Sequence, residues 1–307
     1  MRINNNLNQR AIELLEENRF DESLKLFHEA VKSSRDVQSL NNLAWIYCYE
    51  EDDDSKAIPL LKEAIKMQPH SHFPYNMLGE VYVRREKWEE ARNVLQKVVS
   101  IHPTKTAFYN LATAYYKLGK LEAAADSFLR GSEPSDLSLY SHIKCLAELG
   151  RKEEAFQKLS QFSEEDDHFV GEIDVADLYV ELGDYKMAIY WFSKGWETYA
   201  KDPTWLGRYI FALLKADDLP SALDIQQEVI KEIEERIAET NDDCDEEWTP
   251  AEKEDYIREL TNHQREYAQI IDKIHSGYTP PMDFSTSVLH ECYLFGCDQH
   301  NNPEYTK

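Results

Sequence analysis

The sequence has few cysteines, no long apolar run and no excess of basic residues. Its 307 residues include five cysteines at irregular spacing, which argues against a secreted disulfide framework in a chain large enough to bury its own core. No run of about 18 apolar residues occurs, and no apolar segment follows the polar start of the chain. These absences predict a soluble, cytoplasmic protein with reduced cysteines.

Acidic residues outnumber basic ones by 58 to 34, which gives a formal net charge of −24. A chain with this balance repels phosphate backbones and anionic lipid headgroups, so neither nucleic acid nor a membrane surface is expected as a partner. The charge favours a basic protein or peptide as partner. The same excess is also what a well-solvated surface provides, and that interpretation stays open.

Enzyme motifs are missing as well. The sequence has no Gly-x-Ser-x-Gly, no glycine-rich phosphate loop and no His-Glu-x-x-His. The acidic runs at 50–54 and 242–247 lack the spacing of a calcium-binding EF-hand loop. We therefore predict a non-catalytic protein without a cofactor.

A two-residue pattern recurs along the chain at an interval near 34 residues. A small residue is followed four positions later by a large apolar or aromatic one, and the last copy has Gln226 in the large position. The copies are Ser23/Phe27, Ala57/Leu61, Ala91/Leu95, Ala124/Phe128, Ala155/Leu159, Ala188/Phe192 and Ala222/Gln226. The intervals between them are 34, 34, 33, 31, 33 and 34 residues. A nearly constant period of this length predicts a repeat protein with two helices in each unit.

Further positions of each unit follow one pattern. The third unit carries Leu78, Gly79, Tyr82, Trp88, Ala91, Leu95 and Pro103, and the fourth carries Leu111, Ala112, Tyr115, Gly119, Leu121, Ala124 and Phe128. Small residues such as Gly79 and Ala112 suit the point where two helices cross closely. Gly119, Gly150 and Gly183 suit the left-handed turn that ends a helix.

In these residues the sequence resembles the tetratricopeptide repeat family, with about seven repeats over residues 5–236. The resemblance implies an all-α fold: a right-handed α-solenoid, or superhelix, of antiparallel helix pairs with a C-terminal helical cap and an irregular tail. We predict a solenoid over residues 1–240 and a capping helix within 241–277 after an acidic loop. Thr249, Pro250 and Glu252 form the capping-box pattern that would start this helix.

The tail, residues 278–307, loses helical periodicity at Pro280 and Pro281, although 285–295 could form one more short helix. Two interpretations stay open for it. An aromatic tail beside a peptide-binding solenoid could occupy the groove of its own chain, or it could lie loosely on the surface, as chain ends often do.

The resemblance also implies a function and a surface. Members of the family bind partner segments in a concave groove lined by the first helix of each repeat, which predicts a protein-binding scaffold or adaptor. Carried onto this sequence, the groove positions are Asn41, Trp45, Phe73, Asn76, Glu80, Tyr109, Thr113, Tyr116, Tyr140, Lys144, Ile173, Asp177, Phe211 and Lys215. Aromatic residues beside amides and single charges are typical of binding hot spots. Packing between helices is the alternative role for each aromatic residue.

One ligand class of the family is not expected. Members that hold the C-terminal carboxylate of chaperone tails use a basic and amide clamp on three successive first helices. Asn110 matches the middle asparagine of that clamp, but Asn76 and Glu80 replace the preceding lysine and asparagine. The clamp is therefore absent from this sequence.

A cluster of possible metal ligands lies in the tail: His290, Cys292, Cys297 and His300. Four such side chains could surround a tetrahedral zinc ion, but their spacing fits none of the common structural zinc sites. Two functional alternatives to the scaffold follow from the sequence. One is an acidic inhibitor or immunity-type protein that masks a basic toxin or nuclease, and the other is a metal-dependent regulator that uses this cluster. A homodimer through an uncovered end of the solenoid is also allowed.

Overall fold

The computed structural model describes residues 2–132, 136–242 and 249–297, with side chains from residue 7 onward. These residues form fifteen helices and no strand, which confirms the predicted all-α class. The chain divides into two compact units. Of the described residues, unit 1 contains those within 1–145 and 286–307, and unit 2 contains those within 146–285.

Unit 1 is a stack of helix pairs. Its helices are α1 (Arg2–Glu16), α2 (Phe20–Ser33), α3 (Val37–Tyr49), α4 (Asp54–Lys66), α5 (Phe73–Arg84), α6 (Trp88–Ile101), α7 (Lys105–Lys117), α8 (Leu121–Arg130) and α9 (Asp136–Glu148), whose last turn belongs to unit 2. From α1 to α8, each odd-numbered helix packs on the next even-numbered one, and each even-numbered helix up to α6 contacts the following pair. The first helices α1, α3, α5 and α7 also contact one another in order, so they form one continuous face.

Unit 2 continues the same pattern and adds the capping helix. Its helices are α10 (Lys152–Leu159), α11 (Glu172–Leu182), α12 (Tyr185–Gly195), α13 (Pro203–Lys215), α14 (Leu219–Asp242) and α15 (Pro250–His275). The α15 helix packs on both α13 and α14. Thr249 caps it as predicted, because the Thr249 side chain accepts from Glu252 N–H while the Glu252 carboxylate accepts from Thr249 N–H.

The departure at Gln226 has a physical reason in unit 2. Its side-chain amide donates to the Tyr267 carbonyl of α15 at 2.5 Å. A large apolar residue at this position could not make that bond. The last repeat thus uses a polar side chain to hold the helix that covers it.

All seven of the recurring small residues, which we expect where helices cross, are fully buried. Gly79 of α5 shows why size matters there. A Cβ atom on Gly79 would lie 2.5 Å from Cδ2 and 2.7 Å from Cγ of Leu95 on α6. Helices that approach this closely leave no room for a side chain at the crossing point.

The turns inside the repeats take the predicted left-handed conformation. Gly119, Gly150 and Gly183 have φ angles of 69°, 72° and 82°. The other repeats make the turn without glycine, at Asn18 (58°), Asp52 (49°), Glu86 (55°) and Asp217 (61°). Only the glycine copies of this turn could be found from the sequence.

Among the described residues, no helix combines the length and apolar character needed to cross a bilayer.

Candidate peptide-binding groove

In unit 1 the face formed by α3, α5 and α7 is covered by residues 286–297 of the same chain, which we call the tail segment. Residues 278–294 contain no helix, so the short helix expected within 285–295 is wrong. The physical reason is that backbone groups of Leu289, Tyr293 and Phe295 bond to side chains of the groove instead of forming helical bonds within the segment. The segment runs from α7 toward α3, opposite to the order of the repeats.

Three asparagines hold the backbone of the tail segment. Asn110 of α7 makes two bonds to Leu289: its amide donates to the Leu289 carbonyl at 2.8 Å, and its oxygen accepts from the Leu289 N–H at 2.9 Å. Asn42 of α3 makes the same pair of bonds to Phe295, both at 2.9 Å. Asn41 donates to the Tyr293 carbonyl at 2.7 Å. These hydrogen bonds involve only backbone groups of the tail segment. They can therefore hold an extended segment without requiring a particular side chain.

Glu80 supplies a side-chain contact at the middle of the groove. This α5 residue is fully buried, and its Oε2 lies 2.9 Å from His290 Nδ1 and accepts from the Tyr49 hydroxyl at 2.7 Å. Burial raises the pKa of Glu80, and the bonds from His290 and Tyr49 offset part of that rise. Burial and the nearby Glu80 carboxyl also raise the pKa of Tyr49 well above its usual value. Glu80 is thus a buried acceptor that faces the tail segment.

Aromatic rings form the next part of the groove. The Phe73 ring at the start of α5 lies 5.8 Å from the Tyr293 ring and 4.8 Å from the Phe295 ring, centroid to centroid. His72 stacks on His102 at 4.1 Å and meets the Tyr293 ring edge-on at 6.2 Å. Offset and edge-on pairs at these distances add to the stabilisation that comes from burying the rings.

The tail segment is packed as well as bonded. Tyr293 is fully buried, and Leu294 and Cys297 belong to the hydrophobic core of unit 1. Val288 and Phe295 are partly buried against the same core. The side chain of His290, by contrast, is 46% exposed although its ring nitrogen meets Glu80. The contacts therefore range from anchored aromatic residues to a half-open imidazole.

The remaining predicted groove positions of unit 1 lie in or beside the same face. Trp45 is partly buried, with its ring 5.4 Å from that of Tyr49. Asn76 is buried, and its amide lies 2.5 Å from His72 Nδ1. The others divide by burial: Tyr109, Thr113, Tyr140 and Lys144 are buried, and Tyr116 is partly buried. The structure brings Asn41, Phe73 and Glu80 together on the tail segment.

The predicted positions in unit 2 form a different arrangement. Asp177 is buried and accepts from Arg208 Nε at 2.5 Å, and Arg208 also donates to the Pro280 carbonyl at 3.0 Å. This buried ion pair fixes part of the segment that follows α15. Ile173 is partly buried against the core of unit 2, Phe211 is buried, and the ammonium of the exposed Lys215 lies 5.3 Å from the Phe211 ring centroid.

Sequence reasoning missed the role of Asn42 and left Asn110 out of the groove. A signal was present, since asparagines recur at a 34-residue interval as Asn8, Asn42, Asn76 and Asn110. We call these four residues the asparagine ladder. Asn8 is also buried and donates to Ser39 at 3.2 Å. A polar residue repeated at the helix-pair period and buried each time indicates a shared role on one face.

The possible zinc ligands that the structure describes each have a different environment. His290 meets Glu80, Cys297 is packed in the core, and Cys292 is partly buried. His300 lies outside the described residues. Within the parts of the chain that the structure describes, no group of three or more His, Cys, Asp and Glu side chains is arranged to hold a metal ion.

Comparisons with known proteins support the repeat assignment. The tetratricopeptide repeat family profile matches residues 8–72 and 76–136. A stretch of 99 residues is 28% identical to protein bimA of Emericella nidulans, and covers 30% of this chain but only 12% of the length of that protein.

Two solved structures are similar to parts of the chain. A tetratricopeptide repeat protein from Parabacteroides merdae has a TM-score of 0.53 at 18% identity, over 79% of this chain and 94% of that one. YrrB, described as a TPR protein with an unusual peptide-binding site, has a TM-score of 0.48 at 20% identity, over 66% of this chain and 97% of that one. The likeness to the Parabacteroides structure shows the fold. The family match covers the first four repeats, and the fully buried small residues at intervals of 31 to 34 residues extend the pattern to α14. The chain thus has the fold of a tetratricopeptide repeat protein, and its residues 8–72 and 76–136 match the family itself.

Proposed function

We propose that the chain is a scaffold or adaptor that binds an extended segment of a partner protein in the groove of unit 1. Tetratricopeptide repeats serve in general as protein-interaction modules. One observation carries the proposal: the groove already holds an extended polypeptide through paired bonds from Asn42 and Asn110 to its backbone. Such contacts suit any segment of similar shape, with pockets for alternate side chains adding specificity.

The function can be tested by photo-crosslinking in cells. A photoreactive residue replaces Trp45 or Tyr116, which are partly buried groove positions, and in control proteins it replaces Phe20 or Leu129. These controls lie in α2 and α8 and are 40% and 38% exposed. We expect partner proteins to be joined to the two groove positions and not to the controls. The same proteins at all four positions, or none at the groove, would contradict the proposal.

The proposal includes a basic partner, a cytoplasmic location and a non-catalytic role. The net charge of −24 would speed the approach of a basic partner more than it tightens the complex. Association that weakens steeply with salt would favour the acidic-inhibitor alternative. Elemental analysis decides the metal-dependent alternative, and light scattering decides whether the chain forms a homodimer.

A further inference from the structure

We propose that the tail segment is a built-in ligand of the unit 1 groove, and that the partner's segment is an extended peptide of the same pattern. The pattern is Leu-His-x-x-Tyr-x-Phe, as in residues 289–295. The partner would have to displace the tail segment to bind. This inference rests on the proposed function and adds the chemistry of the ligand.

The spacing of the backbone contacts matches the spacing of the repeats. Neighbouring packed helices lie about 8–10 Å apart, so α3 and α7, with α5 between them, are separated by roughly 16–20 Å. The residues held by Asn110 and Asn42 are Leu289 and Phe295, and six residues of extended chain span about 20 Å. A ligand therefore advances about three residues for each repeat. An extended chain can keep this register, whereas a helix of six residues spans only about 9 Å.

Side-chain contacts then select among extended segments. The carboxyl of Glu80 is fully buried and faces the ligand, and its Oε2 accepts from the Tyr49 hydroxyl of the groove. A donor at the ligand position of His290 adds a second bond to this buried oxygen, and His290 Nδ1 lies 2.9 Å from it. Three residues further on, the fully buried Tyr293 ring packs beside Phe73, and the Phe295 ring contacts Phe73 as well.

Covalent attachment explains how the tail segment can control access. Its contacts are those that a separate peptide of the same sequence could make. A short tether gives a ligand an effective concentration of about the millimolar range, so an attached segment excludes weak external peptides. A partner with a better match, or a high local concentration, would replace it.

The test measures binding of a synthetic peptide to the full chain. The probe is a fluorescent peptide with the sequence of residues 286–297 and serine in place of both cysteines. It is titrated against the wild type and against a variant with Leu289→Pro and Phe295→Pro, which lacks the two N–H groups that Asn110 and Asn42 accept. The matched control is Leu289→Ala with Phe295→Ala, which keeps both N–H groups. A third protein adds Asn42→Ala and Asn110→Ala to the double-proline variant.

We expect the double-proline variant to bind the peptide at least about tenfold more tightly than the wild type, because the tethered competitor is weakened. The two asparagine changes should remove most of that binding. Peptides with alanine at the positions of His290 or Tyr293 should bind at least about tenfold more weakly than the parent. Equal binding to the wild type and the double-proline variant, or binding that survives the asparagine changes, would overturn the proposal.

Because the double-proline variant could lose its fold, hydrogen exchange on the wild type gives a second measurement. Excess peptide should accelerate exchange across residues 286–297 and leave α2, α4 and α6 unchanged, and the serine substitutions distinguish the peptide by mass. No acceleration, or a dimer in which tails are exchanged between copies, would refute an intramolecular ligand. If the peptide does not bind while crosslinked partners still map to the groove, only the inference is refuted. If the peptide binds but no cellular partner is crosslinked at the groove, the proposed function is refuted and the inference is not.

Discussion

Replacing Asn110 by alanine should loosen the tail segment locally. Asn110 makes two hydrogen bonds to Leu289, at 2.8 and 2.9 Å. A hydrogen bond of this kind contributes about 0.5–1.5 kcal/mol net, so the loss of both weakens the closed state by about 1–3 kcal/mol. Since about 1.4 kcal/mol is a factor of ten, the opening constant should rise roughly 5- to 140-fold.

Hydrogen exchange at the Leu289 amide measures this change, because exchange through local opening scales with the opening constant. The matched control is Asn76→Ala. It removes another member of the asparagine ladder, one whose amide lies against His72. We expect the control to change exchange at Leu289 by less than the Asn110 variant does. Less than about a twofold change at Leu289 in Asn110→Ala, or equal acceleration throughout unit 1, would refute the assigned role.

Three further outcomes are expected. Gly79→Ala should lower the free energy of unfolding, measured by urea denaturation, by about 1–3 kcal/mol, because the new Cβ would lie 2.5 Å from Leu95 Cδ2. In a double-mutant cycle, Leu95→Ala should reduce that loss, and an unchanged loss would contradict the prediction. Arg208→Met should lower the free energy of unfolding by about 3–5 kcal/mol, because it leaves the Asp177 carboxylate buried without its partner. Adding Asp177→Asn should restore much of the lost stability. A double variant as unstable as the single one would contradict this prediction. Burial lowers the pKa of His72 from 6.5 to about 4. The contribution of His72 to stability is therefore present above about pH 6.5 and is lost as the pH falls toward 4. His72→Gln should reduce the drop in Tm between about pH 7 and about pH 4.5, and an unchanged drop would count against this assignment.

Several groove residues could be predicted because they occupy fixed positions of a repeat. The resemblance to the repeat family placed Asn41, Phe73 and Glu80 on the groove, and each contacts the tail segment in the structure. Asn42 could not be assigned this role from a local motif, since its function depends on bonds to Phe295, more than 250 positions away. Its 34-residue recurrence in the asparagine ladder was the available signal.

The tail shows why sequence periodicity failed locally. Residues 285–295 contain enough apolar side chains for a short helix, but a helix would bond each backbone group within the segment. In the folded chain Asn110 and Asn42 bond the backbone groups of Leu289 and Phe295 instead. Tertiary partners thus outweighed the local preference.

The sequence by itself determined the repeat, the helix pairs and the caps. These depend on local causes: small residues at crossings such as Gly79, glycines in left-handed turns, and the capping box at Thr249. Only the tertiary structure decided that the tail segment occupies the groove of unit 1. That outcome depends on contacts between side chains far apart in sequence, such as Glu80 and His290, and no local pattern encodes such a contact.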